Sequence, residues 1–204
     1  MNNILAIAGK ELKGYFASPI AYVVIGLYAI PFGYFFYTLL LFFDRQSMQM
    51  AGLAGPSVNV NEQLLRPVFL NTTVIFLFML PMITMRTYAE EKRSGTIELL
   101  LTAPLTDFQI IAGKFLGAMG LYAAMLAITV PQVGLLFWFG NPEWIPIAIT
   151  YLGLLLMGGC FISVGLFISS LTKNQILAVM ATFTVFLMLW VINWMGSFVG
   201  PTTQ

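Results

Sequence analysis

The sequence predicts an all-α polytopic membrane protein, and three observations carry that prediction. Charged residues make up 8% of the chain and apolar ones 59%, whereas a soluble domain carries about 25% charged residues. Five long uncharged runs follow one another, each meeting or approaching the roughly 20 residues a helix needs to cross the hydrocarbon core. Six of the seventeen charged residues fall between Arg86 and Glu98, in the gap between the second and third runs.

The whole chain, residues 1–204, reads as one transmembrane domain. Its expected spans are about 20–43, 67–85, 115–139, 144–171 and 174–198, with segment 1–19 ahead of them and connector 86–114 inside them. The first run is too long for the apolar region of a secretory signal, and no cleavage-type site follows it. Basic residues are distributed unevenly over the loops. Lys10, Lys13, Arg86, Lys92, Arg93, Lys114 and Lys173 fall on one side, and only Arg45 and Arg66 on the other. That asymmetry places the N-terminus and the connector in the cytoplasm of a cell-membrane protein.

Segment 4–16 is amphipathic as a helix. Ile4, Leu5, Ala8, Leu12, Tyr15 and Phe16 share one face, with Lys10 and Lys13 away from it. Such a helix lies at the interface, its lysines meeting anionic headgroups of membrane lipids. Pro31, Pro81 and Pro131 interrupt the first three spans and permit kinks. Small residues recur at helical spacing: Gly113, Gly117, Gly120 and Ala124, then Gly158, Gly159, Ser163 and Gly165. They allow close approach of helices, within one chain or between subunits.

Several functions are excluded by what is missing. The chain has no His and one Cys, Cys160, so it has no disulfide framework, Cys/His metal site or imidazole catalysis. A net charge of +1 argues against a nucleic-acid partner. The expected spans contain no Asp, Glu, Lys or Arg, which argues against ion-coupled transport. There is no G-x-x-x-x-G-K-[ST] loop, so any ATP and Mg would be bound by another polypeptide. No cofactor is expected in this chain.

The connector is highly patterned. Residues 86–93 extend the second span, and Gly95 is placed to cap it. Residues 96–102 can form a short helix with Ile97 and Leu99–Leu101 on an apolar side, ended by Pro104. Thr106 with Gln109 then makes a capping box, and Leu105 with Ile110 a hydrophobic staple. A seven-residue helix is marginal alone, so its leucines need a surface to pack on.

The N-terminal "ELKGYFASPIAYV" and the connector's "EEKRSGTIELLLTAP" resemble the permease subunits of ABC-type-2 exporters, nearest to the six-span branch of gliding-motility and copper-enzyme-maturation permeases. The resemblance implies that the connector is a coupling element docking into a separate cytoplasmic P-loop ATPase. Carried over by position, Glu90, Glu91, Lys92, Arg93, Gly95, Thr96 and Glu98 would be the coupling residues. It also implies a second permease copy or a paralogue as partner, and no catalytic site in this chain. Five spans against six, with a turn-forming "GPTTQ" end, lead to the expectation that a sixth helix follows. A membrane scaffold that recruits a cytoplasmic partner without transport is the alternative.

Overall fold

A computed structural model describes residues 2–52, 60–102, 104–139 and 142–198. The expected sixth helix and the Gly200–Gln204 tail lie outside these residues, as do Pro56 and the middle of the loop around it. The described chain is all α-helical apart from short connections. Its elements are α1 (Asn2–Ala17), α2 (Pro19–Gly52), a π-helical turn (Asn61–Leu65), α3 (Arg66–Ser94), α4 (Thr96–Thr102), α5 (Asp107–Phe139), α6 (Trp144–Leu171) and α7 (Gln175–Phe198). Five of them are long and apolar enough to cross a membrane.

α2, α3 and α5 run beyond the apolar stretches that marked them, while α6 and α7 keep to theirs. α2 has 34 residues, about 50 Å at the α-helical rise, which exceeds a bilayer with its headgroup layers. Pro31, Pro81 and Pro131 all lie inside continuous helices. α3 is the central element: it packs on α2, α6 and α7, and the most apolar part of its span is the most buried of the five. An aromatic column fills the middle of the bundle. Tyr28 stacks on Phe76 at 5.3 Å, and Phe76 meets Tyr122 edge-on at 5.0 Å. The Tyr122 hydroxyl donates to the Leu154 carbonyl at 2.6 Å. Tyr28 and Tyr122 are fully buried, so these polar rings of the spans join helices together rather than line an open path.

The glycine stripes are explained within the chain. A side chain at Gly113 would meet Ile7 at 2.6 Å, one at Gly117 would meet Glu11 at 2.6 Å, and one at Gly120 would meet Leu12 at 3.1 Å. Glycines therefore cut a groove in α5 that receives α1. Gly158 leaves room for the Tyr122 ring and Gly165 for the Thr84 side chain, so α6 closes on α5 and α3.

Candidate functional site

The connector follows its expected course closely. Lys92 and Arg93 occupy the last turn of α3, and Gly95 caps it in the left-handed conformation, φ 75°. A residue with a Cβ resists that geometry, which is why glycine stands there. The Glu98 amide donates back to the Gly95 carbonyl at 3.3 Å, opening α4. The Ser94 and Thr96 hydroxyls share a hydrogen bond of 2.9 Å across the bend. After Pro104, the Thr106 amide donates to Gln109 Oε1 and the Gln109 amide to Thr106 Oγ1, both at 3.3 Å. That reciprocal pair is the capping box, and it starts α5. Ile97 and Leu100 are half-buried; the side chains of Leu99 and Leu101 lie outside the described ones.

The expected coupling residues divide into two groups. Glu90, Glu91 and Lys92 are engaged within the chain. Glu90 takes a two-pronged bond from Arg86 one turn earlier, at 2.7 and 2.9 Å. Lys92 donates to the Ser170 carbonyl in the last turn of α6, placing a cation at the negative end of that helix. Arg93, Gly95, Thr96 and Glu98 are exposed.

Lys114 is the residue whose role sequence reasoning missed. It looks like a loop lysine, yet its side chain is 1% exposed. Its ammonium donates to Glu11 at 2.9 Å and to the Thr87 carbonyl at 3.0 Å, and forms a second ion pair with Glu91 at 2.8 Å. The charge also lies 5.0 Å from the centre of the Tyr88 ring, within cation–π range. One cation thus ties α1, α3 and α5 together. A lysine flanked by Gly113 and Gly117, one residue before a long apolar run, was the available signal.

α1 is held along its length by the same helices. Asn3 donates to Gln109 at 3.5 Å, and with Ile7 over Gly113, Glu11 over Gly117 and Leu12 over Gly120 the two helices run parallel in register. The Tyr15 hydroxyl bonds Thr87 Oγ1 at 3.1 Å and donates to the Ile83 carbonyl at 3.3 Å. Burial pushes this phenol up to about 12, with the Thr87 bond opposing the shift, so Tyr15 keeps its proton. The buried face of α1 is therefore rotated from the apolar one. Ile7 is buried and Glu11 half-buried, while Leu5 stays 60% exposed. Lys10 and Lys13 are exposed, as expected. Between α1 and α3 lies a cleft of about 270 Å³ bordered by Lys10, Arg86 and Glu90.

α6 is fixed to α3 at the same level. Ser169 Oγ donates to the Met85 carbonyl at 3.0 Å and accepts from the amides of Tyr88 and Ala89 at 3.3 and 3.2 Å. Among the described residues, no group of His, Cys, Asp and Glu is arranged to hold a metal ion. The arrangement fits mechanical transmission: an exposed bend and short helix whose base is bonded to α1, α5 and α6.

A family model described as "ABC-2 family transporter protein" matches residues 46–203. The chain belongs to that family. No curated protein and no solved structure matches it. As an ABC-2 transporter protein it is a multi-pass membrane permease component of an ABC transporter, and α4 occupies the connector between its second and third spans.

Proposed function

We propose that this ABC-2 permease exports a substrate using ATP hydrolysed by a separate cytoplasmic P-loop ATPase, working as a pair with a second permease copy or paralogue. The observation that carries the reading is the linkage of the connector, with Arg93, Gly95, Thr96 and Glu98 exposed on it, to the ends of several spans. Lys114, Ser169 and Lys92 bond the base of the connector to α1, α5 and α6. A push on α4 is then shared by those helices instead of being absorbed by a loose loop. Arg93, Gly95, Thr96 and Glu98 form the contact surface for the ATPase. Glu90, Glu91 and Lys92 act one step behind, holding the connector's base. ATP and Mg belong to the partner, and this chain performs no covalent chemistry.

The seven-to-two basic asymmetry supports a cytoplasmic N-terminus and connector. Lys10 and Lys13, exposed on α1, face anionic headgroups. In a Cys160→Ser background, Ser94→Cys and Lys173→Cys should resist a membrane-impermeant thiol reagent applied from outside, while Gln49→Cys reacts. Labelling of position 94 in intact cells would overturn the orientation. Co-purification with the ATPase, and faster ATP hydrolysis in the complex than by the ATPase alone, is the result expected of a transporter. Co-purification without stimulated hydrolysis would favour the scaffold reading.

A further inference from the structure

At the end of the bundle opposite α4, a pocket of about 610 Å³ opens between α3 and α6. That volume is in the usual range for small-molecule sites, roughly 300–1,000 Å³. Its body is apolar, formed by residues such as Leu65, Phe69, Ile147, Leu154 and Met157. The lining threonines, Thr73 and Thr150, donate their hydroxyl protons to the Leu70 and Pro146 carbonyls of their own helices, at 2.7 Å each. Charge is confined to one end, where Glu62, Arg66 and Glu143 border the pocket. None of these three side chains is in an ion pair among the described residues. Glu62 and Arg66 sit on and just after the π-helical turn, a local irregularity common at functional sites. Trp138 and Trp144 flank Glu143 in sequence and are 86% and 68% exposed. Exposed tryptophans at span ends mark the headgroup layer, so the charged rim lies at headgroup depth and the apolar body below it.

We infer that this pocket binds one phospholipid carrying both a phosphate and a primary ammonium, as phosphatidylethanolamine does. An alkyl chain enters between α3 and α6. The Arg66 guanidinium takes the phosphate, for which its fork is well shaped, and Glu62 and Glu143 take the ammonium. Two carboxylates against one guanidinium disfavour a wholly anionic headgroup, and a choline lacks the N–H protons the carboxylates accept. The site does not depend on the transport reading; the orientation proposed above would put it in the outer leaflet.

The test is to reconstitute the full-length protein in vesicles of equal parts phosphatidylethanolamine, phosphatidylcholine and phosphatidylglycerol. Lipids retained after mild detergent extraction are then counted by native mass spectrometry. Wild type should retain one phosphatidylethanolamine in about tenfold preference, the scale of one charge-assisted hydrogen bond. Arg66→Gln should lower retention of all three lipids, whose phosphate it takes, and the Glu62→Gln/Glu143→Gln pair should lose the preference and shift retention toward phosphatidylglycerol. Gly153 lines the pocket, and a Cβ there meets nothing within 4 Å. Gly153→Leu should therefore fill the body and abolish retention of all three lipids with the fold intact. Retention without headgroup preference, or unchanged retention in Arg66→Gln and Gly153→Leu, would show ordinary surrounding lipid and overturn the inference.

Discussion

Replacing Lys114 with methionine should destabilise the protein by about 3–5 kcal/mol, the usual consequence of breaking a buried ion pair by removing one partner. The size follows from what is left behind. Lys114 is 1% exposed and lies between Glu11 and Glu91, whose side chains are only 16% and 18% exposed. Without the ammonium, two carboxylates face each other with little water, and the Thr87 carbonyl loses a donor. For a chain of this length, a loss of that size lowers the melting temperature by roughly 10 °C. Following thermal unfolding of detergent-solubilised protein by fluorescence would measure it. The triple change Lys114→Met/Glu11→Gln/Glu91→Gln should recover much of the loss, since replacing a buried ionic group as a whole is often near neutral. Gly117→Val should loosen α1 by a separate route, forcing a side chain into Glu11 at 2.6 Å. An unchanged melting temperature in Lys114→Met would mean that the charge cluster does not hold α1.

What could be read from the sequence was what is decided locally. Gly95 as a helix cap depends on the residues around it, and so does the Thr106–Gln109 box; both stand as expected. The spans were legible because lipid demands long apolar runs. Pairings across the chain were not legible. One partner of Lys114 lies 103 residues away at Glu11, and counting loop charges treats each lysine alone. For the same reason the apolar face of α1 was assigned without knowing that α5 offers a glycine groove, which turns Ile7 and Glu11 inward. The glycine stripes announced close approach but not to whom. The pocket rim joins Arg66 to Glu143 across the bundle, a juxtaposition no local pattern encodes.

Glu98→Lys should uncouple the permease from its ATPase while leaving insertion in the membrane unchanged. Glu98 is exposed in the first turn of α4, where a carboxylate also favours the positive helix end. As an exposed charge it contributes little to this chain's own stability. In the proposed interface with an ATPase it would be desolvated and paired, and its loss would then cost about 2–5 kcal/mol. A lysine there adds repulsion to that loss. Gly95→Val reaches the same outcome through geometry, because the left-handed cap at φ 75° strains a β-branched residue and tilts α4 away from its docking direction.

The measurement that bears most directly on the connector as the coupling element is permease-dependent ATP hydrolysis by the purified complex. Wild type, Glu98→Lys, Gly95→Val and Arg45→Glu are compared in the same vesicles. Arg45, exposed near the far end of α2, serves as the control and should hydrolyse ATP at the wild-type rate. The expected result is that Glu98→Lys and Gly95→Val lose the stimulated hydrolysis, fail to co-elute with the ATPase, or both. Wild-type hydrolysis and co-elution in both variants would contradict the coupling assignment.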